Sequence, residues 1–170
     1  TGMSVDDTRQ VIIDTDTAGD DTQALLMGLT SDRLDVTGIT IAAGNVEFDY
    51  QVENAKRTLE LAGVADDVTV YEGAQSPLQK EHEFADDIHG EGGLGGNLFP
   101  DTGIESGDQF AVDYIIEQDR ENPGEITVAG IAPLTNLALA YKKEPALNEL
   151  LDEVWVMGGN VNCLGNVTPA

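Results

Sequence analysis

The chain is organised around residues 14–21, Asp14-Thr15-Asp16-Thr17-Ala18-Gly19-Asp20-Asp21. This segment follows the apolar run Val11-Ile12-Ile13, which indicates a buried strand, and precedes residues 22–29, whose sequence indicates a helix. The carboxylates of the segment are close enough to raise one another's pKa unless a cation neutralises them. Hard oxygen donors of this kind suit Ca²⁺ or Mg²⁺. Because ligands of open α/β sheets sit at the carboxyl ends of strands, the segment predicts a metal-centred active site.

Strand and helix patterns alternate along the rest of the chain. We predict strands at 10–14, 35–42, 68–71, 125–129 and 153–157, and helices at 20–30, 50–62, 110–118 and 133–141. Such alternation with mostly apolar strands predicts an α/β fold, an open and mostly parallel sheet with helices on both faces. We expect one domain over residues 1–170, with residues 1–2 an expression-tag scar. The sheet is expected to be incomplete at its carboxyl end, since no helix pattern follows the last strand.

The composition excludes several classes of partner. With 32 acidic and 8 basic residues, the net charge is −24, which disfavours binding to nucleic acid and to anionic lipid. Cys163 is the single cysteine, so an internal disulfide is excluded, and no apolar run reaches the ~20 residues of a membrane span. We expect a cytoplasmic protein. The scattered acidic pairs further indicate a halophilic source, because high salt screens such self-repulsion.

Five blocks together resemble one enzyme family. The aspartate cluster at 14–21 resembles that of the inosine-uridine type nucleoside hydrolases, and four later blocks follow in the family's order. These are Gly44-Asn45-Val46 with Asn54-Ala55, His89-Gly90-Glu91-Gly92-Gly93-Leu94-Gly95, Ala132-Pro133-Leu134-Thr135-Asn136-Leu137-Ala138, and Met157-Gly158-Gly159 with Gly165-Asn166-Val167-Thr168-Pro169. Thr17-Ala18-Gly19 and Ala132 depart from the family pattern. The chain is also about half as long as family members and stops before their later sugar-binding and metal-binding segments.

The resemblance implies a calcium-dependent hydrolase of nucleosides. It implies Ca²⁺ bound by the side chains of Asp16 and Asp21 and by the backbone oxygen of Thr135. It makes Asp20 the general base that takes a proton from water and also contacts the substrate, while Asp14 holds the other acids in position. From the residues alone, Asp20 and Asp21 are equally typical of acids that stabilise a helix start.

The resemblance also implies substrate contacts. Asn45 would bond the ribose or a carboxylate of the cluster, Asn166 the ribose, Met157 would lie under the sugar, and His89 would approach the nucleobase. The residues alone leave alternatives open: turn asparagines at 45 and 166, core packing for Met157, and a solvated surface histidine at 89. Residues 72–107 form a long irregular stretch, in which Gly92 to Gly96 are expected to serve as hinges of a lid. Trp155 and Leu134 are expected in the core.

Three functions follow from these patterns. The favoured one is hydrolysis of the N-glycosidic bond of small-molecule ribonucleosides in nucleoside salvage, by a homodimer or homotetramer. The second is a non-catalytic Ca²⁺-binding or subunit-interaction remnant. The third is a phosphatase with an aspartate nucleophile, because Asp14-Thr15-Asp16 resembles the start of haloacid-dehalogenase-type enzymes.

Overall fold

A computed structural model describes residues 8–159 and residue 162. The strands are β1 (Arg9–Thr15), β2 (Leu34–Ile41), β3 (Val70–Glu72), β4 (Ile126–Gly130) and β5 (Glu153–Val156). The helices are α1 (Gly19–Leu29), α2 (Phe48–Ala62), α3 (Asp86–His89), α4 (Ala111–Glu121), α5 (Thr135–Lys143) and α6 (Leu147–Leu150), with a 3₁₀ turn at Glu91–Gly93. The strands form one parallel sheet in the order β3-β2-β1-β4-β5.

The central strand β1 separates two apolar cores. Its alternating side chains send Val11 and Ile13 to one face, where they pack with residues of α1 and α2, and Ile12 to the other. On that second face Ile12 packs with residues of α4, α5 and α6. This period of two is what a strand buried on both faces requires. The expected α/β fold, with a parallel sheet between two layers of helices, is confirmed.

The predicted elements are present with small shifts of their ends. The third strand begins at Val70 instead of residue 68, and α5 begins at Thr135, two residues after the predicted start at Pro133. The short helices α3 and α6 were not predicted, because four residues are too few to show a helical period.

The expectation that Trp155 and Leu134 lie in the core is wrong. Trp155 is 63% exposed and Leu134 is 41% exposed. For Trp155 the reason is that, among the described residues, β5 is the last strand of the sheet and its side chains have little covering them. Leu134 is not on this strand but is the residue that precedes α5. Met157, just beyond β5, is also 63% exposed, so the alternative of core packing does not hold for it either.

Among the described helices, not one combines the length and the apolar composition that crossing a membrane requires.

Candidate active site

The carboxyl ends of the three central strands converge on the aspartate segment. Asp14 pairs with Thr40 of β2 and with Gly130 of β4 in the register of the sheet. Its backbone oxygen accepts hydrogen bonds from the N–H groups of Ile131 and Ala132, 2.8 and 3.2 Å away. The chain leaving β1 is therefore fixed against β4 where Asp16 begins. This is the edge of the sheet at which α/β proteins bind their ligands.

Asp14 is a completely buried acid. Its Oδ1 accepts hydrogen bonds from Thr40 Oγ1 at 2.6 Å and from Asn136 Nδ2 at 2.8 Å. Among the described residues its Oδ2 has no hydrogen-bond partner, and burial raises the pKa of this carboxyl to about 6 in spite of the two hydrogen bonds. These bonds go to β2 and α5, and not to the other acids of the cluster. Such a buried oxygen is inaccessible to a phosphoryl group, so the geometry speaks against the phosphatase hypothesis.

Asn136 joins the segments around Asp14. Besides its bond to Asp14, its Nδ2 donates to the Ile41 backbone oxygen at 3.0 Å, and its Oδ1 accepts from the Ala74 N–H at 2.9 Å. The side chain is fully buried, so its loss would leave the Ile41 oxygen and the Ala74 N–H without this partner, while Asp14 would keep its bond from Thr40. The sequence placed Asn136 inside a recognised block but gave no role to its amide, which only the folded arrangement shows.

Asp16 and Asp21 form a buried pair of carboxylates. They are 5% and 4% exposed. Burial, followed by the charge of Asp21, raises the pKa of Asp16 to about 7. The pKa of Asp21 is also raised, chiefly by burial. Within residues 8–159 no lysine or arginine pairs with either acid, so these charges lack a protein cation that would neutralise them.

Asn45 holds this pair through two different donors. Its backbone N–H donates to Asp16 Oδ2 at 3.0 Å, and its side-chain Nδ2 donates to Asp21 Oδ2 at 3.2 Å. Gly44 makes this approach possible, because a Cβ atom there would overlap the Asp16 carboxylate. The resemblance implies that Asn45 bonds the ribose or a carboxylate of the cluster, and the structure shows the bonds to the carboxylates.

Asp21 also stabilises the start of α1. Its Oδ2 accepts from the Ala18 N–H at 3.1 Å and its Oδ1 accepts from Thr15 Oγ1 at 3.0 Å. An acid at the third helical position that bonds back to the residue before the helix satisfies one of the free amide groups there. The Asp21 side chain thus stabilises the start of α1, as the sequence alone allows. It also faces Asp16 and Asn45.

Asp20 differs from its neighbours in being accessible. Its side chain is 69% exposed, and its Oδ1 lies 3.7 Å from His89 Nδ1. The side chain of His89 is only 17% exposed, so His89 is not a solvated surface histidine. The structure therefore brings Asp20, the candidate general base, close to His89, the candidate nucleobase contact, at the carboxyl edge of the sheet.

Asn54 of α2 attaches the loop that carries His89. Its Nδ2 donates to the Thr17 backbone oxygen at 3.1 Å and to the Gly92 backbone oxygen at 2.9 Å. Gly92 and Gly93 adopt φ angles of 73° and 84°, which side chains other than hydrogen rarely allow. Asn54 was recognised only as part of a block, and its bridging role depends on a contact between residues far apart in sequence.

The donor set suits a hard divalent cation but does not complete its coordination. Asp16 and Asp21 supply carboxylate oxygens, and Thr135 is buried at the start of α5. Over the part of the chain that the structure describes, histidine, cysteine and acidic side chains form no group of three able to hold a metal ion. Ca²⁺ requires six to eight oxygens, so the remaining ligands must come from water, substrate or residues outside that part. Asn166 and Cys163 lie outside the described residues.

Comparison with known proteins gives a consistent family. The model of the family described as "Inosine-uridine preferring nucleoside hydrolase" matches residues 11–170. "Probable uridine nucleosidase 2" of Arabidopsis thaliana is 36% identical over 99% of this chain and 52% of its own length. "Pyrimidine-specific ribonucleoside hydrolase RihB" of Escherichia coli (strain SE11) is 35% identical over 95% of this chain and 51% of its own.

Solved structures agree with the sequence matches. "Plant nucleoside hydrolase - PpNRh1 enzyme" superposes with a TM-score of 0.90 at 39% identity, covering 95% of this chain and 51% of that one. A purine-preferring ribonucleoside hydrolase from Gardnerella vaginalis gives 0.89 at 33% identity, covering 95% and 52%. The chain thus spans about half the length of the relatives it matches.

Replacing Asn136 with alanine should destabilise the fold. The change leaves the Ile41 oxygen and the Ala74 N–H without their buried partner and removes one of the two bonds to Asp14. We expect the free energy of unfolding to fall by about 1–3 kcal/mol, measured by urea unfolding. Asn97→Ala is the matched control, since Asn97 is exposed and, among the described residues, its side chain donates to the nearby Leu94 oxygen. Equal stability of the two variants would contradict the role given to Asn136.

The metal-free protein should lose stability as the pH rises from about 4 to 7. The pKa of Asp16 is about 7 in the folded state and ordinarily 3.8, so in this range the folded state binds more protons than the unfolded state. The free energy of unfolding then falls by at most about 1.4 kcal/mol per pH unit for this group, and Asp14 adds the same trend up to about pH 6.

Urea unfolding in a chelator at several pH values measures this slope. Asp16→Asn should flatten it, whereas Asp32→Asn, an exposed acid in the turn before β2, should leave it unchanged. A slope for Asp16→Asn as steep as that of the unchanged protein would show that the burial of Asp16 does not control it.

Proposed function

The chain belongs to the inosine-uridine preferring nucleoside hydrolase family, and on that premise we propose that the protein hydrolyses the N-glycosidic bond of ribonucleosides to a free base and ribose. The observation that carries the proposal is the buried pair Asp16 and Asp21, organised by Asn45 beside the exposed Asp20. Two unneutralised carboxylates next to an accessible one provide a place for a cation and a group that can receive a proton.

Family membership implies a metal cofactor, and we propose that it is Ca²⁺. Asp16 and Asp21 would hold it with their side chains and Thr135 with its backbone oxygen. When bound, the ion supplies a positive charge that acidifies a water molecule and orients it with the sugar. The raised pKa of Asp16 supports this assignment, because such an acid gains the most from a neighbouring cation.

Asp20 is the proposed general base. Cleavage of a glycosidic bond passes through a sugar with oxocarbenium character and needs a base to deprotonate the attacking water. The Asp20 side chain is the exposed acid of the segment and is anchored on the first turn of α1. It can therefore approach a water molecule above the buried pair while Asp21 remains fixed by Thr15 and Ala18.

The residues that we propose to contact the substrate lie around Asp20. His89, 3.7 Å from Asp20, would contact the nucleobase, and Asn45 the ribose as well as the carboxylates. The exposed Met157 lies beyond the end of β5, where its N–H donates to the Gly130 oxygen, and would lie under the sugar; Asn166 would contact the ribose. The relatives carry both pyrimidine-specific and purine-preferring names, so both classes of ribonucleoside are candidate substrates.

The setting of the activity is also a proposal. We place the protein in nucleoside salvage, in the cytoplasm of a halophilic cell, as a homodimer or homotetramer. The net charge of −24 supports the halophilic source, since salt screens the repulsion within the folded state.

A non-catalytic Ca²⁺-binding protein is the second candidate. The observation that favours it is the small number of ligands: the acids of the described residues do not by themselves form a group of three. Tight Ca²⁺ binding without turnover of any nucleoside would select this candidate over the hydrolase.

Turnover and metal affinity should separate the roles of the acids. With Ca²⁺ present, release of base and reducing sugar from uridine and inosine measures activity, and calorimetry measures Ca²⁺ affinity. Asp20→Asn should lower kcat by about 10²–10⁴-fold with Ca²⁺ affinity retained. Asp16→Asn and Asp21→Asn should instead weaken Ca²⁺ binding.

Asp32→Asn makes the same acid-to-amide change at the opposite end of the sheet and should leave turnover and metal affinity unchanged. Absence of turnover on a panel of purine and pyrimidine ribonucleosides would refute the proposed function. Full activity of Asp20→Asn would refute the role of its carboxylate.

A further inference from the structure

His82 makes a polar contact that the proposed chemistry does not use. Its Nε2 lies 2.8 Å from the backbone oxygen of Gly44. A carbonyl oxygen only accepts hydrogen bonds, so the Nε2–H of His82 must be the donor. The imidazole is partly buried, and the centroid of its ring lies 4.3 Å from the centroid of the Phe84 ring. No motif surrounds His82 in the sequence, and only the folded structure shows where it binds.

A second bond follows three residues later. The Ala85 N–H donates to the Asn45 oxygen at 2.7 Å. The segment from His82 to Ala85 therefore runs beside the turn formed by Gly44 and Asn45, and each residue of the turn uses its carbonyl to hold it. The hydrogen-bond donors of the same turn face the acids: the N–H of Asn45 donates to Asp16, and its side-chain amide donates to Asp21.

The anchored segment leads directly to His89. Helix α3 begins immediately after Ala85, and the backbone oxygen of Ala85 accepts from the N–H groups of Ile88 and His89 at 2.9 Å. His89 is therefore tied to Ala85 by one helical turn. At its far end the segment is held by the bond from Asn54 to the Gly92 oxygen. The position of His89 beside Asp20 depends on anchors at both ends.

We propose that His82 is a positioning residue of this site: its hydrogen bond to the Gly44 oxygen holds the segment that carries His89 beside Asp20. Among the described residues, the hydrogen bonds of Asp14, Asp16 and Asp21 do not involve His82, so His82 acts through His89. The inference rests on the proposed function where it concerns substrate, and on the structure alone where it concerns the segment.

Two substitutions separate the hydrogen bond from the rest of the side chain. His82→Phe keeps a ring against Phe84 but removes the donor. His82→Gln keeps an N–H at nearly the same distance from the backbone and should restore the bond. Glu83→Gln changes the exposed neighbouring residue and serves as the control.

Amide hydrogen exchange tests the position of the segment without reference to activity. In His82→Phe the amides of Ala85, Ile88 and His89 should exchange about fivefold faster, the change expected from losing one ordinary hydrogen bond. His82→Gln and Glu83→Gln should exchange like the unchanged protein. Unchanged exchange in His82→Phe would overturn the inference whether or not the protein hydrolyses nucleosides.

Steady-state kinetics tests the consequence for substrate. In the active protein His82→Phe should raise KM about fivefold and change kcat by less than about twofold. The reason is that the acids keep their places while the contact of His89 with the nucleobase weakens. His82→Gln should recover KM. A fall of kcat with unchanged KM, or a failure of His82→Gln to recover KM, would overturn the positioning role. If the unchanged protein has no activity, the proposed function fails and the exchange experiment alone decides on His82.

Discussion

Two carboxyl groups, those of Asp16 and Asp21, are buried beyond the carboxyl end of β1, and within residues 8–159 no lysine or arginine pairs with them. A like-charged pair in a poorly solvated place opposes folding unless hydrogen bonds or a bound ion offset the repulsion. The chain supplies the hydrogen bonds from three directions: the turn after β2, the residue before α1, and Thr15 at the end of β1 itself. Protonation of Asp16, whose pKa is raised to about 7, or a bound cation would balance the remaining charge.

The sheet provides the rigidity that this arrangement needs. Asp14 is bonded to β2 through Thr40 and to α5 through Asn136, and its backbone oxygen is bonded by the chain leaving β4. Because these ties join both neighbours of the central strand, Asp16 begins from a fixed point. The hydrogen bonds of Asp14 thus fix the site at the end of β1, and on its exposed side the loop that carries His89 lies next to Asp20.

The period of the apolar residues and the positions of the acids were sufficient to predict the order and type of the main elements. The consecutive apolar residues Val11, Ile12 and Ile13 specify a strand buried on both faces, and a parallel sheet then brings the ends of β1, β2 and β4 together. The resemblance to a family added the aspartates and Asn45. What sequence could not show is which amide faces which oxygen: Asn136, Asn54 and His82 bond residues 37–122 positions away. The sequence also predicted Trp155 in the core, since it does not show that β5 is the outermost strand among the described residues.

The contact between Gly44 and Asp16 links two places 28 positions apart in the chain. Any side chain at 44 would occupy the volume that the Asp16 carboxylate already fills, so drift at one position is conditional on the other. A lineage that retained the acid at 16 would be obliged to retain the glycine at 44. The two residues would therefore be retained together, even though Asp16 is the one that has an ionisable side chain.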